Sequence, residues 1–287
     1  MYTIVVQGYQ ADFGLARVSY LQYTFPMKLI PKGLIDSHFH LLAMQKKGVD
    51  IVELLNEMQA LSMQGIDIGI DYDDLGQRAT LLSAYPFIHM SAGIGPWGVD
   101  SEHLPVKQQL DCLSASLSQH KVCAIGEIGL DNHWDYGTKQ GQQDLFVAQM
   151  DMAEQRALPI IIHSREADDE MAALLQERTF TRQGIMHCFQ GSKELALLAV
   201  SKGMFISFAG PLTYKPNNEM REIFTCLPLE HILLETDSPY LSPVPCRGKT
   251  NTPLHMVHIY EAAASLLGMS TEDLVSQMKS NFSAFLG

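Results

Sequence analysis

The sequence predicts an α/β fold of the (β/α)8 barrel type, and three observations lead there. A short β-rich run, a polar turn and a helical stretch recur along the chain, and eight such runs can be read. Eight units in ~250 residues is the arithmetic of that barrel. The conspicuous ionisable residues fall at the ends of the runs, where a barrel carries its chemistry. A doubly wound open sheet competes, but it has no need of eight units, and no glycine-rich phosphate loop follows the first run.

The first run, Gly33–Leu41, contains Leu34-Ile35-Asp36-Ser37-His38-Phe39-His40. Side chains two apart on a strand share a face. Asp36, His38 and His40 are therefore expected to point into the barrel, and Ile35 and Phe39 toward the helices. Three polar groups facing a core are costly unless they bind something. Asp-x-His-x-His reads as a metal signature more readily than as two hydrogen-bonded histidines. The second and third runs, Ile66–Tyr72 and Phe87–Ile94, offer only His89, which reads as structural. The fourth, Ala124–Asp131, sets Glu127 after the apolar Ala124-Ile125. A carboxylate buried there needs a cation, whether a metal or a salt-bridge partner.

A helical pattern over Gln142–Arg156 then carries Leu145, Phe146, Gln149, Met152 and Ala153 at spacings of three and four. It leads into the fifth run, Pro159–Ser164, where three isoleucines deliver His163, with Arg165 two residues on. The sixth, Gly184–Phe189, delivers His187 in the same way. Cys188 beside it is expected to face the opposite side of the strand, away from any nucleophilic role. A helical stretch, Ser192–Ser201, precedes the seventh run, Met204–Gly210. The eighth, Ile232–Tyr240, passes through Glu235-Thr236-Asp237-Ser238-Pro239, where Asp237 is a site candidate or the cap of a turn. Strand ends of a barrel converge on one mouth, so His38, His40, Glu127, His163, His187 and Asp237 are expected to meet there. His103, His120, His133, His231, His255 and His258 fall in loops or helices and read as structural or surface residues.

Hydrophobic residues make up 46% of the chain and charged residues 18%, which excludes a disordered protein. No apolar run approaches the ~20 residues that span a bilayer. The N-terminus lacks the basic and apolar regions of a secretory leader. The cysteines, Cys112, Cys123, Cys188, Cys226 and Cys246, form no Cys-x-x-Cys pair, so free thiols in a reducing cytoplasm are expected. A net charge of −12 argues against gripping nucleic acid through a broad basic face. It does not exclude an enzyme that holds one phosphate at a time with local cations.

Five motifs now stand in order: Asp36-Ser37-His38-Phe39-His40, Gly126-Glu127-Ile128-Gly129-Leu130-Asp131, His163-Ser164-Arg165, His187-Cys188-Phe189-Gln190-Gly191-Ser192 and Glu235-Thr236-Asp237-Ser238-Pro239-Tyr240-Leu241. Together with Arg247-Gly248-Lys249 and Asn281-Phe282 they resemble the TatD family of metal-dependent hydrolases, within the amidohydrolase superfamily. The resemblance runs from about Leu34 to Leu286. It implies a barrel holding two divalent metal ions at the C-terminal ends of its strands, with phosphodiesterase activity on DNA in several members. One departure stands out. The family commonly carries Gly-x-His-Pro after its third strand, and this chain reads Gly93-Ile94-Gly95-Pro96-Trp97. That position resembles a substrate-side contact, so the metal set is expected intact and the substrate contacts altered. Phe39, where the family often has cysteine, is expected to be neutral.

By resemblance, His38, His40 and Asp237 hold the first metal, His163 and His187 the second, and Glu127 bridges them. Imidazole with carboxylate suits Zn²⁺, Mn²⁺, Co²⁺ or Mg²⁺. Two divalent ions less two carboxylates leave a positive centre, which favours hydroxide and an anionic phosphodiester. Asp237 and Glu127 are the expected catalytic residues, with Asp237 as general base. Arg165, Tyr214, Lys215, Arg247 and Lys249 are expected to line the mouth and hold phosphate oxygens. The expected activity is deoxyribonuclease, 3′-to-5′ exonuclease in direction, on DNA or another phosphate-containing substrate held locally. The alternatives are hydrolysis of a D-aminoacyl-tRNA or a small ester or amide, and a metal-loaded barrel turned binding scaffold. A monomer or weak homo-oligomer with no membrane partner is expected.

Residues 1–26 lie outside the resemblance, and residues 27–287 are expected to form one barrel domain. Met27-Lys28-Leu29-Ile30 looks like a more typical beginning. Met27 is therefore expected to be the initiation site, with a cover over the barrel's N-terminal end as the other option.

Overall fold

In a computed structural model of the chain, which describes residues 30–287, eight parallel strands hydrogen-bond in sequence order. They are β1 (Ile35–Phe39), β2 (Gln64–Asp67), β3 (Ile88–Ala92), β4 (Ala124–Asp131), β5 (Ile160–Arg165), β6 (Ile185–Met186), β7 (Phe205–Phe208) and β8 (Ile232–Leu234). The ring closes where β1 meets the chain leaving β8: Asp237 N–H donates to His38 O (2.9 Å) and His40 N–H to Ser238 O (2.8 Å). The barrel expectation holds. The expectations for residues 1–26 lie outside the described residues.

Parallel strands covered on both faces read as continuous apolar runs. The three isoleucines of β5 and Ile232-Leu233-Leu234 of β8 are all buried. Among the helices between strands, α1 (Lys139–Gln155) braces two strand ends. Thr138 caps it by accepting from Gly141 N–H. Its buried face, Gln142, Leu145, Phe146, Gln149, Met150 and Ala153, follows the helical spacing. Two glutamines seven residues apart belong to that face, and each closes a strand end. Gln142 accepts from Asp131 N–H (2.9 Å) and donates to Asp131 O (3.0 Å). Gln149 does the same for Ile94, at 2.8 Å each way. Buried backbone groups must be paired somewhere, and side-chain amides complete the ladder here.

Three local expectations need correction. First, strict alternation fails on β1. Asp36 opposes Gly65 and Phe39 opposes Asp67, so three steps on β1 answer two on β2, an irregularity of the bulge kind. Ser37 therefore reaches Ser207 on β7 (3.0 Å), while Asp36 turns to β8's exit, accepting from Thr236 N–H (2.9 Å) and Oγ1–H (2.6 Å). Burial lifts the Asp36 carboxyl to about 8, with the Thr236 bonds opposing. It frames the site without belonging to it. Second, β6 and β8 stop early, so His187 and Asp237 stand beyond the strands. Asp237 (φ 54°) and Cys188 (φ 44°) occupy the left-handed region, which a strand does not tolerate.

Third, Cys188 is not on the far side of a strand from His187. Its thiol lies within the field of the site, where burial first, then Asp237, Glu235 and Glu127, push it well above its ordinary range. A thiol held protonated is a poor nucleophile, so the nucleophile reading still fails, on different grounds.

Candidate metal centre

Six side chains from five strand ends meet at the barrel mouth. Glu127 is the hub, and its two oxygens divide the others. Oε1 lies 2.9 Å from His163 Nδ1 and 3.1 Å from His187 Nε2. Oε2 lies 3.5 Å from His38 Nε2 and 3.7 Å from His40 Nε2. Asp237 joins the second pair, its Oδ1 3.4 Å from His40 Nε2 and 3.9 Å from His38 Nε2. The two halves touch, because the His38 and His187 rings stack at 3.8 Å, nearly parallel at 9°. Within each half two ring nitrogens face each other at 3.2 Å: His38 Nε2 with His40 Nε2, and His163 Nδ1 with His187 Nε2.

The local chain makes this convergence possible. At Gly129 (φ 148°) β4 runs so close to the backbone of His163 that a side chain would overlap its carbonyl oxygen. Only glycine allows both the angle and the approach, and it brings β4 and β5 together at the level of the imidazole.

Two further carboxylates orient the rings, and the sequence reading passed over both. Asp131 Oδ2 lies 3.2 Å from His163 Nε2, and Glu235 Oε1 lies 3.3 Å from His187 Nδ1. Each accepts the proton on the outer nitrogen and leaves the inner one facing Glu127. Histidines that bind metals are commonly held in this way by a carboxylate behind them. The signal was present, since Asp131 ends the strand that carries Glu127 and Glu235 sits two residues before Asp237.

Charge and burial fit a cation. Burial pushes Glu127 upward, yet His187, His163 and His38 hold it well below the carboxylate range. Burial pushes His187 down, and Glu127 and Glu235 more than reverse this, raising it well above the ordinary imidazole range. His163 and His40 are also raised, against burial, by Asp131 and Glu127 and by Asp237 and Glu127. His38 is lowered, by burial and then by His187. Without another cation the carboxylates must borrow protons from the rings. Ligand atoms of His38, His40 and Asp237, and of His38, Glu127 and His187, form groups lying within 4.8 Å of one another. A set of neutral imidazoles and carboxylates facing one space suits Zn²⁺, Mn²⁺, Co²⁺ or Mg²⁺.

The expected phosphate contacts are each tied to their own neighbours. Arg165 ends β5, exposed, with its guanidinium 5.8 Å from the Trp134 ring. Arg247 lies 3.9 Å over the Tyr214 ring, and the Tyr214 hydroxyl donates to Ser242 O (3.0 Å). Lys215 is exposed, and its carbonyl accepts from Arg221. Lys249 is exposed too; its carbonyl accepts from Ser242 Oγ–H (2.6 Å), and its charge helps to lower His255. Tyr240, which the sequence reading did not assign, stands edge-on to His40 at 6.1 Å under the ammonium of Lys47.

A barrel of eight parallel strands with this donor set at their carboxyl ends is the architecture of a metal-dependent hydrolase. Residues 35–287 match the family described as TatD related DNase. The chain is 34% identical over 245 residues to an uncharacterized metal-dependent hydrolase, YabD of Bacillus subtilis, covering 85% of this chain and 94% of that one. It is 30% identical over 242 residues to a protein of Klebsiella pneumoniae named 3′-5′ ssDNA/RNA exonuclease TatD, covering 82% and 91%. The crystal structure of YJJV, a TatD homolog from Escherichia coli, superposes with a TM-score of 0.80 at 27% identity, covering 88% and 97%. An organophosphorus hydrolase from Deinococcus radiodurans shares the fold, with a TM-score of 0.64 at 16% identity. The chain belongs to the TatD family of metal-dependent hydrolases.

Proposed function

We propose that the protein hydrolyses phosphodiester bonds of DNA, removing nucleotides from the 3′ end, with two divalent ions at the barrel mouth. The observation that carries this reading is the division of Glu127, one oxygen toward each pair of histidines. In this reading His38, His40 and Asp237 hold one ion, His163 and His187 the other, and Glu127 serves both. The name of the Klebsiella relative supports a nucleic-acid substrate. Divalent ions, when bound, acidify water and draw charge off phosphorus.

The chain's own groups do the rest. Asp237 is the proton acceptor: its side chain is 13% exposed where that of Glu127 is 5%, so it meets what enters the mouth. Glu235 and Asp131 hold His187 and His163 in the tautomers that present their inner nitrogens. Arg165 on one arc of the rim, and Arg247 with Tyr214 on another, receive phosphate oxygens, and Lys215 and Lys249 add positive charge. Binding of this kind is local and accords with a net charge of −12.

The test is shortening of a single strand labelled at its 5′ end, with Mg²⁺, Mn²⁺ or Zn²⁺, beside a charged D-aminoacyl-tRNA. The expected result is a ladder of products shortened from the 3′ end, abolished by Asp237→Asn. Deacylation of the tRNA with the DNA left intact would overturn the reading.

A further inference from the structure

After β3 the chain runs Gly93-Ile94-Gly95-Pro96-Trp97, and Pro96–Val99 makes one turn of 3-10 helix. Gly95 has φ −68° and ψ 175°, an extended conformation open to any residue. The backbone therefore does not demand glycine there. The neighbour does: a Cβ built on Gly95 would overlap the six-membered ring of Trp97. Residue 95 carries no side chain, and the indole occupies the space that one would fill.

That indole is fixed and only partly covered. Its Nε1–H donates to Ile70 O at 3.0 Å, so its polar edge is satisfied. Its ring centre lies 6.5 Å from the His163 imidazole and 6.1 Å from the Tyr136 ring, with both rings turned steeply across it, at 72° and 74°. It is half-buried, one ring's width from the cluster. A buried indole needs a partner for its N–H and offers the rest as flat apolar surface. Here the partner is internal, so the open surface can be given to a ligand.

We propose that Trp97 is the platform on which a planar ring of the substrate, a nucleobase, stacks while its phosphate lies at the cluster. This rests on the phosphodiesterase reading for the phosphate and adds what recognises the group beside it. Stacking on an aromatic face tolerates every base. Such a contact accepts any flat ring and rejects none by its edge pattern.

The experiment uses the full chain carrying Trp134→Phe, which leaves Trp97 as the sole tryptophan of the two. Loaded with Mn²⁺, it is titrated with thymidine monophosphate and, separately, with deoxyribose phosphate. The expected result is saturable quenching of Trp97 fluorescence by the nucleotide and none by the sugar phosphate. Trp97→Leu should weaken nucleotide binding by at least about 5-fold in calorimetry, the low end of what one stacked base contributes. Binding of deoxyribose phosphate should be unchanged, and Trp97→Phe should restore most of the nucleotide affinity. Equal quenching by both ligands, or by neither, overturns the platform, whatever the variants do. Turnover of bis(p-nitrophenyl) phosphate without quenching sinks the platform and spares the hydrolytic reading. Quenching by the nucleotide alone, with no phosphodiester turned over, upholds the platform and sinks the hydrolytic reading.

Discussion

Two buried clusters of charge lie in this barrel, and they are built to opposite rules. Arg78, fully buried, donates to Asp74 through Nε (3.0 Å), to Asp67 Oδ2 through Nη1 (3.1 Å) and to Ser91 O through Nη2 (2.7 Å). Its own attraction for Asp67 and Asp74 outweighs burial and raises it further. Every charge there is answered from within the chain. At the mouth, by contrast, His38 Nδ1, His40 Nδ1 and Glu235 Oε2 are buried with no hydrogen-bond partner among the described residues. The inner nitrogens crowd one another in pairs at 3.2 Å and share the one carboxylate of Glu127. A closed cluster belongs to the scaffold; one left with open valences is built to receive something.

The sharpest break of that contrast is Arg78→Met. It leaves Asp67 and Asp74 uncompensated, and stability should fall by about 3–5 kcal/mol. Urea unfolding should show this, while metal-dependent turnover of the folded fraction stays within a few-fold. A small loss of stability would mean that water reaches the two carboxylates and that the cluster is not closed. Next, Glu127→Gln should lower metal affinity by more than about 100-fold, since a hub ligand outweighs the groups behind it. Metal titration measures this, and two ions lost together would mark Glu127 as the shared carboxylate. Glu235→Gln and Asp131→Asn should each cost about 10- to 100-fold in metal affinity or activity by releasing one ring. Wild-type affinity in both would show that the rings are held by packing alone.

The smallest effect concerns His255, which shares its Nδ1–H with Asn251 Oδ1 (2.9 Å) and is lowered to about 4 by burial, then by His258 and Lys249. Its folded value lies below that of a free imidazole near 6.5, so the unfolded chain binds the proton more readily. Stability from this group is complete above about pH 6.5 and declines as pH falls toward about 4. Melting temperature against pH should be flatter across that window in His255→Gln. An unchanged slope would assign the acid sensitivity to other groups.

Much of this was legible in the sequence, unevenly. Runs such as Ile160-Ile161-Ile162 announce a buried parallel strand, and a histidine that ends such a run announces a mouth residue. Residue type and order sufficed for the six cluster residues because convergence is a property of the barrel itself. What sequence could not carry was direction. Periodicity of two assigns faces only while the ladder is regular, and the slip between Asp36 and Phe39 voids it. The left-handed turns at Cys188 and Asp237 leave no compositional mark, since neither is glycine. Arg78 carries no mark in the sequence, because its partners Asp67 and Ser91 come from two strands and meet it only in space.

The paired amides of α1 have a consequence for how this enzyme can change. Gln142 fastens the exit of β4, and Thr138 fastens the entrance of the helix, so the loop between Asn132 and Thr138 hangs from two fixed pegs. It carries Trp134 and Tyr136 to the rim, yet nothing in its own path sets where Glu127 stands. Such a segment can be exchanged like the jaw of a wrench, giving the same motor a different grip. A lineage, or an engineer, can retune what is grasped at the mouth by rewriting those few side chains, so long as the backbone N–H groups of His133 and Trp134 keep their bonds to Asp131 Oδ1 (2.9 and 3.2 Å), which steady the carboxylate behind His163.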